Sequence, residues 1–341
     1  MAETVMNRRV VMVSRPTGMP TPANFRLEAV TEPLAPGEGE LRLRTLYFSL
    51  DPYMRGRMDE GPSYAEALNP GDVMEGGAVG EVIASRHPDF QPGDIVLSYT
   101  GWQSHPRTSA QGLRKIDPAL APVSTALGVL GMPGMTAYTG LLNIGEPKPG
   151  ETLVVAAASG AVGSAVGQIG RIKGCRTVGI AGGPEKTRFV HEALGFDVAL
   201  DHRDPDFAQQ LKAACPKGID IYFENVGGRV WDLVLPLFND FARIPVCGLI
   251  SQYNGLPPRS SALPSVAELM EDVLVKRLRI QGFIVTDYAA QQADFLRDMG
   301  GWVASGAVKY REDVVDGIDH AVGAFIGLLE GRNFGKLLIR P

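Results

Sequence analysis

The spacing of apolar residues divides the chain into two regimes. From Arg8 to about Leu127 the apolar residues come in short runs. Val10–Val13, Glu40–Leu46, Gly77–Ile83 and Asp94–Ser98 have strand composition, and Pro33–Gly39, Pro70-Gly71 and Pro92-Gly93 punctuate them. Short strands without long helices predict a small, largely antiparallel β domain. Helical periodicity starts near Thr125 and runs through Gly131–Tyr138. From Gly150 onward, strand patterns at Thr152–Ala157, Thr177–Ala181, Val198–Leu200, Ile219–Phe223, Ala242–Cys247 and Arg279–Val285 alternate with helical patterns at Lys186–Leu194, Pro205–Ala214, Arg229–Phe238 and Ser265–Lys276. Alternation of this kind predicts a doubly wound parallel sheet with right-handed crossovers. A helix over Tyr288–Ala304 closes that domain, and Tyr310–Pro341 offers a strand, a helix (Ile318–Leu329) and a last strand (Lys336–Ile339). These leftover strands most simply return to the first domain. The expected division is residues 1–128, 129–305 and 306–341, with the α/β domain inserted into the β domain. The Pro-, Gly- and Ser-rich stretch Tyr253–Pro264 is the expected mobile loop.

The most informative stretch is Thr152–Lys173, TLVVAAASGAVGSAVGQIGRIK. Leu153–Ala157 reads as a strand buried on both faces, and Val162, Val166, Ile169 and Ile172 recur at helical spacing. Between them stands Ala158-Ser-Gly160-Ala-Val-Gly163, the dinucleotide-binding fingerprint with its first glycine replaced by alanine. Small residues at Gly160, Ala161, Val162 and Gly163 let the main chain approach a pyrophosphate, whose charge faces the N–H groups of the helix start.

The next strand bears on which nicotinamide cofactor fits. It ends Ala181-Gly182-Gly183 with no acid to hold a ribose 2′-hydroxyl, and Lys186 follows. A carboxylate there would repel a 2′-phosphate, so its absence together with Lys186 favours NADPH. Arg188 reads equally well as a solvated helix charge, while His202 and Arg203, after the third strand, lie within reach of the same phosphate.

Composition narrows the function. With 341 residues the chain is long enough for two domains; 45% hydrophobic and 21% charged residues describe a globular protein. The net charge of −5 and the lack of a basic run argue against nucleic acid as a partner. The first sixteen residues hold no signal-peptide core, and no segment approaches the ~20 apolar residues of a membrane span. The three widely spaced cysteines, Cys175, Cys215 and Cys247, suggest reduced core thiols and a cytoplasmic protein. The five histidines are scattered, with no HxxxH or HxxE pairing, and no CxxC occurs, so no metal is expected. Without zinc, a tyrosine is the natural group to polarise a carbonyl, being a neutral donor at pH 7. Most of the nine, such as Tyr99 and Tyr222, read as packing residues. Tyr53, in Leu50-Asp-Pro-Tyr-Met-Arg-Gly-Arg57, and Tyr253, just past the fifth strand of the α/β domain, stand where a site would be, as does Asn225 beyond the fourth.

Taken together, YFSLDPYMRGRM (Tyr47–Met58), LGMPGMTAY (Leu130–Tyr138), AAASGAVGSAVGQIG (Ala156–Gly170), AGGPEK (Ala181–Lys186), YFENVGG (Tyr222–Gly228), CGLISQYN (Cys247–Asn254) and NFGK (Asn333–Lys336) resemble the zinc-independent branch of the medium-chain dehydrogenase/reductase superfamily. More narrowly, they are similar to the leukotriene B4 dehydrogenase/prostaglandin reductase group with its bacterial NADPH-dependent curcumin reductases. The motifs span nearly the whole chain in the family's order. The resemblance implies a GroES-like β domain plus a doubly wound, parallel-sheet Rossmann domain. It implies that Gly160–Gly163 hold the pyrophosphate and Lys186 the 2′-phosphate. Asn225, the segment from Cys247 through Gly248 and Ser251 to Tyr253, the strand end at Phe283–Val285, and Asn333 would line the nicotinamide side. His202 stands where the group often has a phosphate-binding tyrosine. The implied activity is NADPH-dependent reduction of the carbon–carbon double bond of enones and enals, with Tyr253 stabilising the enolate and Tyr53 or water protonating the α-carbon. A quinone reductase, an NADP-linked alcohol dehydrogenase and a non-catalytic NADPH sensor are the competing readings. Relatives are commonly dimers, and the last Rossmann strand offers an edge for a homodimer.

Overall fold

A computed structural model describes residues 3–61, 63–255 and 266–341 of the chain. Most of the loop expected to be mobile, Tyr253–Pro264, lies outside the described residues. The chain forms two units, one of Met1–Gly128 with Glu312–Pro341 and one of Val129–Arg311.

The first unit begins with the antiparallel hairpin β1 (Thr4–Met12) and β2 (Phe25–Pro33), then β3 (Glu40–Ser49), the short helix α1 (Tyr53–Arg57), β4 (Ala78–Ser85), β5 (Ile95–Ser98), β6 (Arg107–Ser109) and β7 (Arg114–Lys115). β2 escapes a reading by composition because apolar and charged residues are mixed along it and only Phe25 is buried.

The second unit opens on α2 (Met132–Gly140) and then alternates: β8 (Thr152–Val155), α3 (Ala161–Ile172), β9 (Arg176–Ala181), α4 (Pro184–Arg188), β10 (Val198–Asp201), α5 (Phe207–Ala214), β11 (Ile219–Phe223), α6 (Gly228–Val234), β12 (Phe238–Val246), α7 (Val266–Lys276), β13 (Arg279–Gly282) and α8 (Gln292–Ala304). Among the described residues its strands make one parallel sheet in the order β10-β9-β8-β11-β12-β13. Successive side chains of β8 enter opposite cores. Leu153 and Val155 pack with α2, α3 and α8 (Tyr138, Val166, Phe295), whereas Val154 and Ala156 pack with α5 and α6 (Phe207, Leu211, Val234). Burial on both faces is why the strand sequences are continuously apolar.

The chain then returns to the first unit with β14 (Glu312–Asp316), α9 (Ala321–Leu329) and β15 (Lys336–Arg340). These join the sheet β14-β15-β3-β4-β5-β7, antiparallel except for the β14–β15 pair, with β6 beside β3. Trp102 is fully buried between the rings of Phe25 and Phe48, with Phe325 of α9 edge-on at 5.4 Å, so the C-terminal segment shares the first unit's core.

Two expectations change. The last Rossmann strand stops at Gly282 instead of reaching Val285, because Phe283 turns inward. Its ring meets Phe223 edge-on and occupies the space left by Gly140, where a methyl group would lie 2.4 Å from it. Val285 then opens a 3-10 turn that runs to Gln291. Tyr99 is not a packing residue: it follows the end of β5 and is 65% exposed.

Candidate active site

The turn after β8 is built by close backbone approach. Ala157 takes a left-handed conformation (φ 53°), uncommon for a residue with a Cβ, and its carbonyl oxygen accepts the Gly160 N–H at 2.9 Å. Gly160 caps α3 in extended conformation. A Cβ on Gly163 would lie 2.4 Å from the Ala157 carbonyl oxygen, so only glycine fits there. Gly160, Ala161, Val162 and Gly163 therefore present a first helical turn whose N–H groups lack intrahelical acceptors. That is the geometry for an anion.

A second cluster forms at the ends of β9 and β10. Gly182 closes β9 with no side chain, and a methyl there would meet His202 Nε2 at 2.9 Å and the Arg203 guanidinium at 3.1 Å. Against the upward push of burial, N–H groups of Gly183 and Arg203 hold Asp201 below the usual carboxylate range. Burial first, and then the charges of Arg203, Arg229 and Lys186, keep His202 below the usual imidazole value, with Asp201 opposing. Arg229, in the first turn of α6, donates to the His202 carbonyl oxygen at 3.5 Å. Sequence reasoning missed Arg229. The only signal was a cation directly after the Gly227-Gly228 pair.

The third cluster lies beyond β11 and β12. Glu224 is buried, and its Oε1 accepts N–H groups of Val226 (2.6 Å) and Gly227 (2.9 Å) and the Tyr222 hydroxyl (3.2 Å). Burial raises its pKa in spite of these donors. Asn225 Nδ2 donates to Ala156 O at 2.8 Å, tying this turn to β8. Cys247 and Gly248 both donate their N–H to Glu224 O, and Ser251 Oγ donates to Val226 O at 2.6 Å. Tyr253 folds back over this turn: its phenol oxygen accepts the Leu249 N–H at 3.4 Å and lies where a side chain on Gly248 would meet it at 3.0 Å. Burial pushes the Cys247 thiol up to about 12, and those of the buried Cys175 and Cys215 up to about 11.

In the first unit, Tyr53 is the first residue of α1. Burial, followed by the nearby Asp51 and Glu75 carboxylates, pushes its phenol far above the usual range, so it keeps its proton. Arg57 lies 5.7 Å over the Tyr53 ring and 4.4 Å over that of Tyr64, and it bonds Glu75 at 2.7 Å. Below α1, Lys336 of β15 pairs with Asp51 at 2.5 Å and donates to Leu50 O at 3.0 Å, while Ser49 donates to the same carboxylate. Asn333 Nδ2 donates to Gly335 O at 3.0 Å. Lys336, noted in sequence only as part of NFGK, thus anchors the segment that carries Tyr53.

Two family profiles match the chain, one described as the N-terminal domain of oxidoreductase over residues 8–116 and one as a zinc-binding dehydrogenase over residues 161–305. The NADPH-dependent curcumin reductase of Escherichia coli (strain K12) is 58% identical over 337 residues, 98% of this chain and 96% of that protein. The chain belongs to the medium-chain dehydrogenase/reductase family. Another member, the NADP(+)-dependent 2-alkenal reductase of Nicotiana tabacum, is 42% identical over 99% of this chain and 98% of its own length. Among solved structures, CurA of Vibrio vulnificus in complex with NADPH superposes with a TM-score of 0.94 at 52% identity, covering 98% of each chain. The superposition carries the family's GroES-like and Rossmann fold over to this chain, and NADPH is the cofactor bound in that complex. The turn that excludes a Cβ at Gly163, and the cations gathered where β9 ends without an acid, fit that dinucleotide. Although one family profile is described by zinc, among the described residues no group of three or more His, Cys, Asp or Glu is placed to hold a metal ion.

Proposed function

We propose that this protein reduces the carbon–carbon double bond of α,β-unsaturated ketones and aldehydes with NADPH. The observation that carries the reading is the end of β9, which lacks the ribose-binding acid and faces His202 and Arg203, with the Lys186 charge acting on His202, in a chain 58% identical to a curcumin reductase and 42% identical to a 2-alkenal reductase.

NADPH, when bound, supplies the hydride. The chain's residues do the rest. The α3 start (Gly160–Gly163) holds the pyrophosphate, and Lys186 with its neighbours holds the 2′-phosphate. Asn225, Cys247, Gly248, Ser251 and Asn333 position the nicotinamide end. The segment from Phe283 to Val285, beyond the end of β13, lines the same nicotinamide side. Hydride arriving at the β-carbon pushes charge onto the carbonyl oxygen, and the Tyr253 hydroxyl donates to that oxygen. The α-carbon proton comes from Tyr53, which stays protonated across the working pH range, or from water. Three free thiols support a reducing, cytoplasmic setting. A homodimer through β13 is part of the reading, supported by the exposure of that edge strand.

The test is oxidation of NADPH, beside NADH, with a medium-chain 2-alkenal and a conjugated enone, followed by product analysis. A saturated aldehyde or ketone, formed with NADPH preferred, is the expected result. An unsaturated alcohol would mean carbonyl reduction and overturn the hydride assignment. NADPH-induced stabilisation without turnover of either acceptor would favour a binding protein or a quinone reductase.

A further inference from the structure

We propose that Arg229 and His202 complete the 2′-phosphate site, and that His202 enters it as imidazolium, so that binding NADPH takes up protons that binding NADH does not. This rests on the reading of Lys186 given above. Three βα turns meet at this point. Lys186 comes from α4, His202 and Arg203 follow β10, and Arg229 comes from the first turn of α6. His202 Nε2 and the Arg203 guanidinium both face the empty side-chain position of Gly182, the end of the strand that would carry the ribose acid in an NAD site. Arg229 is held to the same turn by the His202 carbonyl oxygen at 3.5 Å.

The charged groups facing the imidazole are Arg203, Arg229 and Lys186 against the single carboxylate of Asp201. In the free protein this excess of positive charge, added to burial, keeps the ring neutral at neutral pH. A phosphate monoester carries a charge of about −1.5 to −2 there. Placed among these cations it reverses the local potential and favours the protonated ring, whose Nε2–H can then donate to a phosphate oxygen. The proton comes from solvent. Affinity for NADPH therefore rises as pH falls through the bound-state pKa of His202, until protonation of the phosphate itself, with its ordinary second pKa of about 6, opposes the gain. NADH, lacking the phosphate, shows no such term.

The experiment is calorimetric titration of the full chain with NADPH and with NADH, in two buffers of different ionisation enthalpy near pH 7. Wild type is compared with His202→Asn, Arg229→Gln and Lys186→Ala. Expected is proton uptake with NADPH and none with NADH, and its loss in His202→Asn. Arg229→Gln should weaken NADPH by about ten- to a hundredfold while leaving NADH within about twofold, which also reports an intact fold. Equal uptake with both cofactors, or uptake that survives in His202→Asn, overturns the proton linkage. Unchanged NADPH affinity in Arg229→Gln overturns that residue's part. The underlying reading fails separately: Lys186→Ala would then keep the wild-type preference for NADPH over NADH.

Discussion

Tyr253 and Tyr53 share a phenol but sit in different electrostatic settings. Tyr53 lies beside two carboxylates that oppose its ionisation, whereas the Tyr253 phenol oxygen accepts the Leu249 N–H just past the end of β12. The second setting suits a donor to developing negative charge. Tyr253→Phe is expected to lower turnover at least a hundredfold with little change in NADPH affinity, since one oxyanion donor contributes about 2.7 to 4 kcal/mol. Steady-state kinetics checks this, and a loss below about fivefold would move the role to the cofactor ribose and to positioning. At this scale the sequence was readable where a residue acts through its neighbours in the chain, as Gly163 does through Ala157. It was not readable where residues from separate turns meet. Nothing local marks Arg229 as a companion of Lys186, or Lys336 as the partner of Asp51. The exposure of Tyr99 is hidden in the sequence because an apolar strand says nothing about the residue one step past its end.

Among the elements, the β11–α6 turn depends on one buried carboxyl. Glu224 binds the Val226 and Gly227 N–H groups, yet its pKa is raised, so folding favours its protonated form. Its stabilising contribution is complete below the ordinary glutamate pKa and is lost as pH rises through the raised folded value. Glu224→Gln keeps an acceptor for both N–H groups without the buried charge. The variant should gain in melting temperature relative to wild type as pH is raised from about 4 to about 7. A flat difference across that series would show that Glu224 stays ionised in the folded protein. The strands of the parallel sheet were legible because both of their faces are buried and their sequences say so. β13 was overextended for the same reason: Phe283 and Val285 are as apolar as a strand, but the first packs inward and the second begins a turn.

On the scale of the whole molecule, the sheet of the second unit ends in β13, which among the described residues pairs on one side only. β13 is exposed along its length, and α7 exposes Val266, Met270 and Leu274 at helical spacing, the last at 75%. A hydrophobic stripe beside an open strand edge is a self-complementary surface under two-fold symmetry. Sedimentation velocity should give a dimer, and Leu274→Glu should shift it toward monomer; a wild-type monomer would refute the assignment. That the first and last segments of the chain share one core was legible only as strands left over after the parallel sheet was complete, because the contacts joining Phe325 to Phe25 and Trp102 bridge residues far apart in the sequence. The raised thiol pKa values carry a last consequence. Enals are soft electrophiles that alkylate thiolates, so an enzyme working on them is exposed to poisoning by its own substrate. With Cys175 and Cys215 near 11 and Cys247 near 12, only about one thiol in ten thousand or fewer is ionised at neutral pH. The folded protein should survive prolonged exposure to a 2-alkenal without gaining cysteine adducts by mass spectrometry, while the same chain unfolded in urea acquires them. On that outcome the cores that bury Cys175 and Cys215 act as chemical armour as well as scaffold.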